Sequence, residues 1–206
     1  MTPPIFCETI STHPDFIALS SVEHLRVDLR YASAANFMAR DMYSPLDCAW
    51  AHRDAVEGLR QAIAWLARQQ PHERGVHLCV LDALRPQRVQ EAMWAALAGT
   101  PLTDYLAPPE RGSIHSFGMA IDATLVDAAG QEFDMGTSFD DMTELSHPAQ
   151  EAAFLQAGAL NDAQVSHRQM LREAMRCGGF DGISTEWWHF DCGDRTRVRA
   201  NYSRVL

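Results

Sequence analysis

The run MAIDATL, residues 119–125, narrows the possible folds more than any other stretch, because it sets a carboxylate, Asp122, inside an apolar strand. Alternation along such a strand places Ala120, Asp122 and Thr124 on one face. An ionised carboxylate there is expensive unless something positive meets it, and a divalent metal would do so. His115 stands seven positions before Asp122, on the far side of Gly118. Near the other end of the chain, TEWWHFD, residues 185–191, embeds His189 between Trp188 and Phe190, with Glu186 three residues before it. A lone histidine in an aromatic run is more often packed than ligating, and Asp122 alone could cap a turn. As bare spacing, HxxxxxxD with a distant ExxH says less than HExxH.

Two histidines and a carboxylate form a ligand set that zinc accepts, with the fourth tetrahedral position left for water. Zinc can bring the pKa of such a water to about 7, and a nearby carboxylate can then take its proton. Glu186 is the candidate base. An ideal strand sends residues 186 and 189 to opposite faces, so this role requires a bend or a strand end there.

Arg85, in LDALRP, follows a strand and precedes a helix, where a side chain can reach a cleft and meet an oxyanion or a carboxylate. From local sequence alone it reads as an ordinary surface arginine. Asp82 in the same turn could orient Arg85 or bind an ammonium group. The acidic run EFDMGTSFDDMTE lacks the oxygen spacing of an EF-hand but offers Asp140 to a cationic group. His13, His24, His52, His72, His77, His147 and His167 read as solvated or structural, and Cys79 and Cys177 as core thiols. GxGxxG and GxxxxGK[ST] are both absent.

The helical spacing of Val56, Leu59, Ile63 and Leu66 predicts an amphipathic helix within residues 49–70, followed by a turn marked by Pro71 and Gly75. VHLCVL, residues 76–81, reads as a buried strand, and residues 86–99 as a second helix after Pro86. Thr100–Gly112 reads as a loop. MAIDATLVDAAGQEF reads as a strand, a turn and the start of another strand. SHRQMLREAMRCGGF is a helix stopping at Gly178 and Gly179, and TEWWHFD a last strand. The expectation is an α+β class: one compact domain over residues 1–206, a small, mainly antiparallel sheet with helices around it, and a metal site in a cleft.

A formal charge of −10 argues against a nucleic-acid partner. No apolar stretch approaches the roughly 20 residues that span a bilayer. Five scattered cysteines without CxxC spacing, and a start that lacks a basic region before an apolar run, fit a cytoplasmic protein with reduced thiols.

Taken in order, DLRYASAANF, LDALRPQR, SIHSFGMAIDATL, DMGTSFDDM, GGF and EWWHF resemble the zinc D-alanyl-D-alanine dipeptidases (VanX-type) along most of the chain. The resemblance implies one Zn2+ per chain held by His115, Asp122 and His189. It also implies Glu186 as catalytic base and acid, and Arg85 as the stabiliser of the tetrahedral intermediate. Tyr31, Asp82, Ser113 and Asp140 match positions that shape a pocket for a small dipeptide or hold its termini. The chain departs from the family pattern at Leu84, where DxYRP is usual, and at Ile114 and Phe117, where SSHSRG is usual. Metal and base are untouched by these changes; what they bear on is substrate choice. The resemblance makes D-Ala-D-Ala the leading substrate. The alternatives are a D,D- or L,D-carboxypeptidase acting on cell-wall peptides, and a catalytically silent member that binds peptide without turnover.

Overall fold

The computed structural model describes residues 3–69 and 75–206. Five strands form the main sheet: β2 (Arg26–Val27), β4 (His77–Asp82), β5 (Ala120–Val126), β7 (His189–Cys192) and β6 (Phe180–Gly182), in the spatial order β2-β4-β5-β7-β6. Only the β2–β4 pairing is parallel; the other neighbours run antiparallel. A second, two-stranded sheet pairs β1 (Phe16–Ala18) with β3 (Trp50–His52). The expected α+β architecture with a mainly antiparallel sheet is therefore present.

Helix α1 (Arg53–Gln69) buries Val56, Leu59, Ala62 and Leu66, the stripe that helical spacing predicts. It starts later than the periodicity indicates, because Trp50–His52 pairs as β3 before the helix begins. Gly75 adopts a left-handed φ of 53°, while Pro71 lies outside the described residues. Helix α2 (Gln87–Leu97) follows Pro86 as expected. The stretch after it is not wholly irregular, since Pro101–Tyr105 winds into a 3-10 helix. The second strand expected after β5 reduces to one bridge, Val126 to Glu132.

A short helix, α3 (Glu151–Gln156), precedes α4 (Asp162–Cys177). The latter starts four residues before the expected run, at a capping box in which Asn161 and Gln164 satisfy each other's backbone N–H groups. It ends where glycines were expected to stop it, with Gly179 at φ 78°. Cys79 is a core thiol, but Cys177 is exposed. Leu171, Ala174 and Met175 take the buried side of α4, and helical periodicity turns residue 177 to solvent. Helices α1 and α4 touch through Gly58 and Gly178: a Cβ on Gly58 would lie 2.4 Å from the Gly178 carbonyl oxygen. Helix α5 (Arg195–Asn201) completes the fold.

All seven residues of β5 are buried, so this strand is covered on both faces. Ile121, Ala123 and Leu125 join the core that contains the buried residues of α1 and α4. Alternation sends Asp122 and Thr124 to the other face, toward a second cluster that includes Tyr31, Tyr43, Leu84, Val89 and Met93. The chain's two end segments meet beside that cluster. Ile5 N–H donates to Arg204 O at 2.9 Å and Leu206 N–H to Ile5 O at 2.8 Å, while Val205 N–H donates to Ser116 O at 2.7 Å. No helix among the described residues is long and apolar enough to cross a membrane.

Candidate active site

Sheet register builds the site. Asp82 on β4 stands opposite Asp122 on β5, and Asp122 stands opposite His189 on β7, so one lateral row across three strands carries two carboxylates and an imidazole. The register of β4 shifts between Val80 and Asp82, which brings Asp82 into that row. Two buried carboxylates side by side need positive charge. Arg85 supplies it: its Nη2 lies 2.6 Å from Asp82 Oδ2 and 3.5 Å from Asp122 Oδ2.

His115 enters from a 3-10 turn, Ile114–Phe117, which Gly118 closes at φ 65°. A Cβ at Gly118 would lie 2.7 Å from Phe16 Cε1 and 2.9 Å from His52 N, so packing and conformation both require glycine. Ser113 caps the turn by accepting the His115 N–H at 3.3 Å.

The three predicted ligands converge. The candidate donor atoms of His115, Asp122 and His189 all lie within 4.8 Å of one another. His115 Nδ1 faces the Ala83 carbonyl at 2.8 Å, which fixes Nδ1–H as donor and turns the Nε2 lone pair inward. His189 Nε2 lies 3.1 Å from Asp191 Oδ1, leaving Nδ1 to face Asp122 Oδ1 at 2.9 Å. His115 Nε2 and His189 Nδ1 are 3.2 Å apart. Two inward lone pairs and a carboxylate around one point make a donor set that a divalent cation fits.

The electrostatics agree with that fit. Burial pushes the Asp122 carboxyl up, but His115 and His189 more than offset it and hold the group well below the usual carboxylate range. Burial also opposes charge on His189, yet Asp122 and Asp191 hold its pKa well above the ordinary imidazole value. The His189 shift reports carboxylates around it, Asp122 and Asp191, that favour a positive charge at the ligand set.

Glu186 sits in the irregular stretch just before β7, so the bend its role requires is present. Its Oε2 lies 4.0 Å from His189 Nδ1. Burial, with a smaller contribution from Asp122 set against the pull of His189, pushes its carboxyl up to about 7.

Arg85 is no surface arginine: it is 6% exposed. Its Nε and Nη2 both donate to Asp82 Oδ2, and its Nη1 donates to Gln90 Oε1 at 3.2 Å. Its guanidinium carbon lies 5.0 Å from the centroid of the Tyr31 ring. Burial opposes its charge most strongly, but Asp82 together with Tyr31, Tyr43 and Asp122 outweighs that and holds the guanidinium above its ordinary pKa. Tyr31 donates to Asp140 Oδ1 at 2.9 Å, and the Phe37 N–H donates to Asp140 Oδ2 at 3.2 Å. Burial pushes the Asp140 carboxyl up to about 7.

Tyr31, Arg85, Ser113, His115, Asp122, Asp140, Glu186 and His189 all line one cleft of about 250 Å³. Sites for drug-sized ligands run to roughly 300–1,000 Å³, so this one suits a smaller molecule. Asp82 lies behind it, fully buried and holding Arg85. Of the three departures from the family pattern, only Ile114 lines the cleft. Leu84 and Phe117 are core side chains, and the Arg204 guanidinium covers the Phe117 ring with its carbon 5.5 Å from the centroid.

Several supporting residues escape sequence reasoning. Tyr43 donates to Asp82 Oδ1, and Gln90 holds Arg85, from segments with no local signal of that contact. Asp191 does leave one: at the second position after His189 on the same strand, it shares that residue's face. Its Oδ2 accepts from Arg195 Nε.

A profile of the D-ala-D-ala dipeptidase family matches residues 14–206. The chain is 37% identical over 167 residues to the D-alanyl-D-alanine dipeptidase of Escherichia coli (strain K12), covering 81% of this chain and 78% of that protein. It is 32% identical over 197 residues to the D-alanyl-D-alanine dipeptidase of Enterococcus faecium, covering 85% and 90% respectively. Among solved structures, the LdcB LD-carboxypeptidase superposes with a TM-score of 0.48 at 11% identity, covering 94% of this chain and 80% of that one, a likeness too distant to carry an argument.

Proposed function

The chain belongs to the D-ala-D-ala dipeptidase family, and on that premise we propose that residues 1–206 form one zinc peptidase domain hydrolysing D-Ala-D-Ala. The observation that carries this reading is the convergence of His115 Nε2, Asp122 Oδ1 and His189 Nδ1 on one point, with the Glu186 carboxylate alongside. These three residues would hold zinc. When bound, zinc supplies Lewis-acid polarisation of the scissile carbonyl and lowers the pKa of water at the site.

The protein's own groups do the rest. Glu186 takes a proton from the attacking water and returns it to the leaving amine, a shuttle suited to a carboxyl pushed up to about 7. Arg85, locked by Asp82 and Gln90, presents a fixed cation where negative charge develops on the carbonyl oxygen. Asp140, at the wall reached through Tyr31, takes the substrate's ammonium group, and Ser113 helps shape the pocket.

Release of D-alanine from D-Ala-D-Ala by zinc-loaded protein tests the reading directly. We expect release that stops with chelator, returns with zinc and fails on the L,L dipeptide. Persistence in chelator would sink the zinc assignment. An N-acylated D-Ala-D-Ala peptide has no ammonium for Asp140 and should turn over far more slowly; the opposite preference would favour a carboxypeptidase.

Asp140 also predicts a pH dependence. With its carboxyl pushed up to about 7 by burial and, less, by Asp122, against the pull of Tyr31, the Phe37 N–H and Arg85, the group is largely protonated in acid, and a bound ammonium needs it ionised. The substrate amine stays charged until about pH 7.7. Dipeptide affinity should therefore rise roughly tenfold between about pH 5.5 and 7. Asp140→Asn should remove that component, and an unchanged profile in the variant would exclude Asp140 as the ammonium site.

A further inference from the structure

A zwitterionic dipeptide presents two charges, and Asp140 answers only one. On the other side of the ligand set, His189 leads to Asp191 and then to Arg195. There Arg111, Arg195 and Arg199 line the cleft. The protein carries a formal charge of −10, so a gathering of cations at one rim runs against its overall balance. Among the described residues, Arg195 pairs with Asp191, whereas neither Arg111 nor Arg199 has a carboxylate partner.

The two unpaired arginines are not equivalent. Arg199 directs Nε and Nη2 at the Gly112 carbonyl, each at 3.2 Å, and so braces the segment leading into Ser113 and His115. Arg111, one residue before Gly112, is exposed, and its guanidinium makes no hydrogen bond to the described residues. Burial first, then Arg111, Arg195 and Arg204, lower the Arg199 pKa below its ordinary value. A bound anion would relieve that crowding of like charge.

We infer that Arg111, backed by Arg199, takes the C-terminal carboxylate of the dipeptide, at the side of the ligand set away from Asp140. This assignment rests on the dipeptidase reading. A planar guanidinium suits a carboxylate because two parallel N–H groups can meet both oxygens. With the ammonium at Asp140 and the carboxylate at Arg111, the cleft would measure a peptide from both ends and select two-residue substrates by charge as well as by size.

The test compares D-Ala-D-Ala with its C-terminal amide, which keeps the ammonium and loses the carboxylate. Calorimetric titration of zinc-loaded Glu186→Gln protein measures binding without turnover. The acid is expected to bind roughly tenfold or more tightly than the amide, the scale of a charge-assisted contact. Arg111→Gln in that background should weaken the acid to the level of the amide and leave the amide unchanged, and Arg111→Lys should recover part of the preference. Zinc content and thermal midpoint, expected to be unaltered, separate this from a folding defect.

Equal affinity of the Glu186→Gln protein for acid and amide, no binding of either, or an acid preference that survives Arg111→Gln would each overturn the inference. Turnover by the otherwise unsubstituted protein keeps the two claims apart. If it hydrolyses D-Ala-D-Ala while acid and amide bind equally, the carboxylate site falls and the dipeptidase reading stands. If it fails to hydrolyse D-Ala-D-Ala while the acid preference depends on Arg111, the dipeptidase reading falls and the carboxylate site stands.

Discussion

Glu186→Gln protein should hold one zinc per chain and lose about two to four orders of magnitude in kcat, the range general acid–base groups contribute. The separation of the two effects is the point. Glu186 Oε2 stands 4.0 Å from His189 Nδ1, beside the three ligands rather than among them, so the amide leaves His115, Asp122 and His189 in place. What disappears is the group that accepts the water proton. Zinc content by atomic absorption, with single-turnover release of D-alanine, checks both halves. A variant that turns over at near the unsubstituted rate would remove Glu186 from the chemistry, and one that loses zinc would recast it as a ligand or its support.

Asp82→Asn should unfold at a midpoint roughly 6–20 °C lower, because it takes from the buried Arg85 guanidinium its nearest counter-charge, at 2.6 Å, and leaves only Asp122 at 3.5 Å. Breaking a buried ion pair from one side costs about 3–5 kcal/mol, and each kcal/mol moves the midpoint of a protein this size by roughly 2–4 °C. Asp82 is fully buried and accepts from Arg85, Tyr43 and the Ala83 N–H, so no water replaces what the charge provided. Adding Arg85→Met to Asp82→Asn should recover much of the stability and none of the turnover, since the stranded cation goes together with its catalytic role. Thermal melts followed by circular dichroism provide the comparison. A midpoint within a degree or two for Asp82→Asn alone would show that Arg85 draws little of its hold from Asp82.

Much of this centre was legible because its key residues break local rules. Asp122 inside an apolar strand and His189 inside an aromatic one each demand an explanation, and the sheet places them in direct register. The need for a bend at Glu186 was legible too, from strand alternation alone. Arg85 was legible only in part: LDALRP offers Asp82 as its partner, but its burial depends on Tyr31, Gln90 and Asp122, all brought in by tertiary packing. Leu84 and Phe117 stand out as departures from a motif, but their side chains point into the core, where motif comparison cannot see direction. Elements with strong periodicity, such as α1, emerge from the sequence, while β3 hides inside the apparent start of that helix because its three residues depend on pairing with β1.

The meeting of the end segments bears on the order in which the molecule can be completed. Residue 205 hydrogen-bonds to Ser116, next to His115, and to Gln87 at the start of α2, while residue 5 joins residues 204 and 206. A chain growing on the ribosome can therefore form α1 and α2 early, but the turn that aims His115 receives its last backbone tie only after residue 205 has been synthesised. The turn that aims His115 is thus completed by contacts between residues far apart in the sequence, and catalytic competence waits on them.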